Sequence, residues 1–520
     1  MRVTGLGHAS AYIQTAAGSV LCDPWVSPAY FGSWFPFPDN SELDWARFGR
    51  ADYLYVSHLH RDHYDSEHLK RWISTDATVL LPEYPTDELY DALHDVGFRH
   101  FVRTVSGEVT ELDGLRVMIQ ALTSPTDGPI GDSSLWLSDG NAILLNQNDA
   151  RPTELSAFAE LGHVDAHLLQ YSGAIWYPMV YDLPEKAKRV FGEQKRARQL
   201  DRTLRYIDDL KASWVFPIAG PPCFLDPQLW HLNDIFDDPG NIFPDQRVFA
   251  DFMVERGYDN CRVLIPGSEA DLSQPDCPVR HPIPEPDVAR IFSHKAEYLR
   301  EYQQRKLPAL LEQKASWAQP DLDVLAELTP WLEQILSESE RIADGVGGPV
   351  RFLATDPERG DVDFVIDFPT RQVRPYNAES CRYSFTTERA LLEYIVSIGE
   401  IDWVNSLFLS CRFSAKRVGP YNEFVYTFFK CLSEERINYA EGWFAEQSVD
   451  DEDITLDNWV MQRRCPHLKA DLSKFGNIDA GVLTCQMHGW KWDLESGRCL
   501  TSKGPEIRSQ PLAEGGRSAV

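Results

Sequence analysis

Two stretches of this chain gather side chains that bind metals. Cys465-Pro466-His467 and, seventeen residues further on, Cys485-Gln486-Met487-His488 each offer one thiol and one imidazole from a short loop. Two thiolates with two imidazoles suit either a tetrahedral zinc ion or an iron–sulfur cluster whose two irons take different ligands. Near the other end, His58-Leu59-His60-Arg61-Asp62-His63 packs three imidazoles and a carboxylate into six residues, directly after the apolar run Tyr53–Val56. That density can surround one or two metal ions. Two carboxylates also follow apolar runs: Asp149 beyond 142–145, and Asp23 in Cys22-Asp23-Pro24-Trp25. His8, in the first turn of the chain, is placed to touch metal-bound oxygen or substrate. The candidate catalytic set is therefore His58, His60, Asp62, His63, Asp149 and His8.

These loops need elements to hold them. At 520 residues the chain exceeds a single core, and two to four domains are expected. Residues 1–280 alternate short strands and helices. Val3–Ile13 and Ser19–Cys22 read as a hairpin, Tyr53–Val56 and Ala142–Leu145 as buried strands, and Glu185–Lys211 as a charged helix. Pro275–Pro286 reads as a linker. A middle region, 281–445, begins helical and continues as α+β. In it Phe364–Phe368 and Ser406–Leu409 read as strands and Thr387–Ile398 as a helix. Residues 446–520 form the last domain, a small all-β unit whose core reads as separate from the first.

Composition narrows the function. A formal net charge of −29 repels nucleic acid, and no long basic stripe offsets it. No run of 18 apolar residues is present, so no membrane span is expected. The first twenty residues read as a strand rather than a signal peptide, and the best-spaced cysteines sit beside histidines in a metal pattern rather than as a disulfide pair, which points to a cytoplasmic protein. Of ten cysteines, the eight outside the two loops read as reduced packing residues.

The pattern C-x-H followed by C-x-x-H-G-W, with Gly489-Trp490 after the second loop, resembles Rieske proteins. There Cys465 and Cys485 would hold one iron of a [2Fe–2S] cluster, and His467 and His488 the other. The competing reading is a Cys2His2 zinc site. The His58–His63 pattern resembles the signature of the αββα metallo-β-lactamase fold. By that resemblance His58 and His60 serve one metal, Asp62 and His63 a second, Asp149 bridges, and Asp23 steadies the histidine loop from behind. Two histidines usual to that fold are missing: Leu122–Asp132 has none, and neither does Phe216–Gly220. Asp127, Asp132, Asp226 or His231 are the available substitutes. A carboxylate-rich site suits non-haem iron, one or two ions, better than a zinc pair. The middle region resembles a sterol-carrier-type fold.

A Rieske cluster and a metallo-β-lactamase fold in one chain resemble the CMP-N-acetylneuraminate hydroxylases. Leu6-Gly7-His8-Ala9, Cys22-Asp23-Pro24-Trp25, Ala51 to His60, Asp132-Ser133-Ser134, Asp149-Ala150-Arg151-Pro152 and Phe216 to Gly220 carry the likeness. The order differs, since those enzymes have the Rieske domain first. The resemblance implies a monooxygenase that takes O2 as co-substrate and electrons through the [2Fe–2S] cluster from a ferredoxin or similar donor. It would hydroxylate a C–H or N–H bond of a small polar metabolite, of a bacterial biosynthetic or amino-sugar type. The alternatives are a zinc-dependent hydrolase with a redox-sensing Rieske domain, and a non-enzymatic electron carrier. Arg463, Arg464 and Lys469 offer a small cationic patch for an acidic donor. His68, His94 and His100 read as solvated, His163 and His167 as structural. Tyr171, Trp176 and Tyr177 are candidates for a pocket wall.

Overall fold

In the computed structural model two β-sheets face each other across an apolar layer. The structure describes all residues except 124–130, 174, 447–451, 468–469, 488, 502–505 and 513–520. One sheet has eight strands, in the order 279–280, 269–271, 2–7, 10–15, 18–22, 53–55, 78–81 and 101–103. The other has six, in the order 214–218, 166–170, 143–148, 132–138, 115–122 and 109–112. Alternation of side chains sends Val3, Ile13 and Val20 from one sheet, and Val117, Leu135, Leu144 and Phe216 from the other, into the layer between them. Helices cover the outer faces. Trp45–Phe48, Ser66–Trp72 and Glu88–Val96 lie on the first sheet, and Glu185–Leu210 lies on the second. This is the αββα sandwich of the metallo-β-lactamase fold within a multidomain chain.

Three local readings need correction. Val3–Ile13 is not one strand. The chain turns at His8-Ala9, with His8 at φ 51, between strands Arg2–Gly7 and Ser10–Thr15. Part of the expected linker is also structural, since Val279–Arg280 pairs with Glu269–Ala270 at the sheet edge. Ser406–Leu409 is not a strand, because Val404–Phe408 is a short wide helical turn.

Helices Glu285–Ser293 and Lys295–Ala315 pack against Phe35, Phe37 and Leu225. Beyond them a five-stranded sheet, in the order 372–375, 362–367, 349–355, 383–388 and 413–417, is covered by Val324–Glu338, Arg389–Ser397 and Glu423–Lys430. Its core continues into Trp25, Tyr30 and Trp34 of the sandwich. Two three-stranded sheets finish the chain: 453–456, 459–462 and 509–511, then 476–479, 482–485 and 490–493. Their core is not separate from the first. Leu483, Trp490 and Trp492 share one apolar cluster with Leu200, Tyr206 and Leu210 of the long helix and with Trp136 beneath it. Among the described residues no helix is long and apolar enough to cross a membrane.

Candidate active site between two metal centres

Strands 18–22 and 53–55 run parallel, so the chain leaves both at the same edge of the sheet. Asp23 emerges from the first and the histidine loop from the second. Asp23, fully buried, accepts hydrogen bonds from the Ser57 amide at 2.7 Å and the Ser57 hydroxyl at 2.8 Å, and it lies 3.0 Å from His63 Nδ1. The amides of His63 and Tyr64 both donate to the His60 carbonyl, which folds the loop back on itself. Asp65 then caps the next helix through the His68 amide. Opposite, strand 143–148 ends at Asn148, held at φ 41, and delivers Asp149 toward the same point.

The candidate ligands fall into two sets whose donor atoms lie within 4.8 Å of one another: His58, His60 and Asp149, and His8, Asp62 and His63. Asp149 also reaches the second set, 3.6 Å from His63 Nε2. His8, placed by its left-handed turn, lies 2.9 Å from Asp62, and its carbonyl accepts from the amide of Ala219, in the stretch that lacks the fold's late histidine. Asp132 lies 3.5 Å from His58 Nδ1. Asp226 is elsewhere, tied to Arg412 and Lys314, and so is His231, which is exposed against the Gln228 carbonyl. Asp127 lies outside the described residues.

The donor set fits metal ions. His60 Nε2, His63 Nε2 and Asp149 Oδ1 are buried without a hydrogen-bond partner, an arrangement folded proteins avoid unless a further ligand completes it. Burial, and then His60 and His63, hold the His58 imidazole neutral, the form that ligates. Burial opposes a proton on His63, yet Asp149, Asp62 and Asp23 together raise its pKa well above the ordinary range. A divalent cation would satisfy the same three carboxylates. Burial likewise works against the Asp62 carboxylate, but His63 and His8 outweigh it and keep it ionised. The Tyr30 hydroxyl donates to it at 2.5 Å.

At the other centre Cys465 and Cys485 are fully buried, and the Cys465 amide donates to the Ala470 carbonyl at 2.8 Å. The His467 ring stacks on Trp490 at 4.0 Å, and its Nε2 lies 2.7 Å from Glu423, a residue of the middle region. His488 lies outside the described residues, as does Lys469. Arg463 and Arg464 do not form a free docking patch. Arg463 pairs with Asp471 and Glu452, and Arg464 lies 3.5 Å from Glu154 of the sandwich.

One cavity of about 460 Å³ joins the two centres. His8, His60, Asp62 and Asp149 line one end, and His467, Met487 and Trp490 another. Trp176 and Tyr177 line its wall, whereas Tyr171 packs on Phe249 in the core. His68 is buried against Trp45 rather than solvated, and His167 is buried 2.8 Å from Gln147. Exposed His163 bonds Ser213. Sequence reading missed Glu423, which no local pattern marks. It also missed the purpose of Lys195, Arg198, Gln199 and Arg202, although their i, i+3, i+4, i+7 spacing puts them on one helix face.

The chain is similar to several known proteins. A Rieske [2Fe-2S] domain model matches residues 443–511, and a model described as Rv3818-like, SCP2-like domain matches 324–446. A Rieske 2Fe-2S iron-sulfur protein, Rv3818 of Mycobacterium tuberculosis, is 53% identical over 98% of this chain and 99% of its own. Its Mycolicibacterium smegmatis counterpart is 52% identical over 98% of this chain and 100% of its own. Among solved structures, an isothiocyanate hydrolase from Delia radicum gut bacteria matches at 15% identity and TM-score 0.36, over 52% of this chain and 98% of its own. CmlA, a diiron β-hydroxylase from Streptomyces venezuelae, matches at 18% identity and TM-score 0.33, over 52% and 53% respectively.

Proposed function

Because the chain belongs to the family of the mycobacterial Rieske 2Fe-2S iron-sulfur proteins, we propose that it is an O2-dependent monooxygenase that hydroxylates a C–H or N–H bond of a small polar metabolite. The observation that carries this reading is the single cavity onto which the N-terminal ligand set and the cluster loops both open. A hydrolase needs no electron source at its metal site, whereas an oxygenase does. The balance is substrate–H plus O2, two electrons and two protons giving substrate–OH and water. Iron, when bound, supplies the activation of O2, and the cluster the electrons, which a ferredoxin or similar donor replenishes.

The protein's part is to hold and to shield. His58, His60 and Asp149 would hold one metal and His8, Asp62 and His63 the other. Asp23 and Ser57 fix the His63 ring through Nδ1 and leave Nε2 free to ligate. Tyr30 fixes Asp62 in the same manner. Cys465, His467, Cys485 and His488 would hold the cluster, and Glu423 fixes the outward nitrogen of His467. The aromatic wall of Tyr30, Trp34, Trp176 and Tyr177 keeps bulk water from the reacting groups.

Metal analysis of the purified protein tests this. Iron at the His58/His60/Asp62/His63 centre, with O2 uptake that requires a reduced donor, is the expected result. Zinc there, with turnover that needs neither O2 nor reductant, would make the protein a hydrolase.

A further inference from the structure

The chain carries a net charge of −29, yet the cavity between its two centres is rich in cations. Arg151, Lys195, Arg198, Arg202 and Arg417 all line it. Among the described residues none of these five makes an ion pair, although most arginines elsewhere in the protein do. Lys195 Nζ donates to the Tyr177 carbonyl at 2.9 Å, Arg202 Nη1 to the Met487 carbonyl at 3.1 Å, and Arg198 Nε to the Gln194 carbonyl at 3.2 Å. Arg417 lies over the rings of Tyr177, Tyr181 and Tyr421. Arg202 is only 6% exposed. Backbone carbonyls and ring faces carry partial charge and leave these cations short of a full negative partner.

The carboxylates that share the cavity are engaged at its two ends. Asp62 is held by His8 and Tyr30, Asp132 and Asp149 face His58 and His63, and Glu423 faces His467. Burial, with Arg151, Arg198 and Arg202 close by, pushes the Lys195 ammonium well below its ordinary pKa, so the group gains from any anion brought to it. The grouping is built by the fold. Lys195, Arg198, Gln199 and Arg202 form one stripe of the helix Glu185–Leu210, a stripe that would be apolar if it only packed. Arg151 comes from the loop just after Asp149, and Arg417 from the last strand of the middle sheet.

We infer that this cationic wall binds an oxyanion of the substrate, a phosphate or a carboxylate, and holds the rest of the molecule toward the His58–His63 centre. The inference rests on the reading of the cavity as the active site and names the substrate class it takes. Arginine forks match both oxyanions through paired N–H donors. The aromatic wall accommodates the remainder of the substrate.

Calorimetric titration of the holoprotein with inorganic phosphate, and separately with benzoate, at fixed ionic strength in chloride tests this directly. At least one probe should bind, and Arg151→Met or Arg198→Met should weaken it at least about tenfold, the scale of one lost charge-assisted hydrogen bond. Tighter binding of phosphate assigns a phosphorylated substrate, and tighter binding of benzoate a carboxylic acid. Arg417→Met, in a different part of the fold, serves if the others fail to keep the [2Fe–2S] visible spectrum. Absence of binding by either probe at millimolar concentration, or binding unchanged in all three variants, overturns the inference. No reductant, O2 or turnover enters, so the outcome is independent of the oxygenase assignment.

Discussion

Asp149 is the residue on which the N-terminal centre turns, because it stands in one ligand set and touches the other. Asp149→Ala should lower the metal content measured by elemental mass spectrometry, while the [2Fe–2S] absorption persists, since the cluster loops lie elsewhere in the fold. Full metal content in the variant would remove Asp149 from the ligand set. His167 has a quieter role. Burial holds its pKa down to about 3, against about 6.5 in an unfolded chain. The unfolded state therefore takes up the proton first as pH falls. The stability of neutral His167 is fully present above about pH 6.5 and is lost on the way down toward about 3. Denaturant unfolding should show His167→Gln losing less stability than the wild type between about pH 6.5 and 5, by up to about 1.4 kcal/mol per pH unit. Parallel curves would place the titration elsewhere.

Elements decide what these residues can reach. The helix Glu185–Leu210, which carries the cationic stripe, sits close against the loop at Gly240. A Cβ on Gly192 would come 1.9 Å from the Gly240 carbonyl. Gly192→Ala should therefore destabilise the protein by about 1–3 kcal/mol, read from chemical denaturation, although alanine is the better helix former. A neutral or stabilising effect would mean that the helix is less tightly seated. At this scale the limits of the sequence are plain. His58 to His63 announced itself because its candidate ligands are adjacent, and Glu185–Lys211 because its residues are charged and helix-friendly. His8 read as a turn residue, but the split of Val3–Ile13 into two paired strands around it did not, because the stretch alternates like one strand. Ser406–Leu409 shows the opposite failure: a short apolar run has no period of its own, and burial among Phe385 and Phe429 made it helical. Glu423 and Arg464 could not be assigned from sequence, because His467 and Glu154 lie far from them along the chain and only the folded arrangement brings them together.

At the scale of the whole molecule the sandwich and the middle region are tied by buried charge. Arg412 joins Asp226 at 2.6 Å and the Phe31 carbonyl at 3.0 Å, and Arg436 joins Glu88 of the sandwich to Asp402. Removing one partner of such a pair costs about 3–5 kcal/mol, so these contacts fix how the regions meet. Glu423 bridges the middle region to His467 within that frame. A carboxylate beside the cluster favours its oxidised, more positive state. Glu423→Ala should therefore raise the midpoint potential by tens of millivolts, where about 59 mV is a tenfold change for one electron. An unchanged potential would mean that Glu423 does not act on the cluster.

The central claim is that the cluster and the N-terminal centre, meeting at one cavity of one chain, work together on O2. It is tested by reducing the holoprotein, removing excess reductant, mixing with O2, and following recovery of the [2Fe–2S] absorbance in the wild type and in Asp149→Ala. The account predicts that the wild type recovers at least about tenfold faster, a barrier difference of about 1.4 kcal/mol, at a rate independent of protein concentration. Equal rates in the two proteins would contradict it.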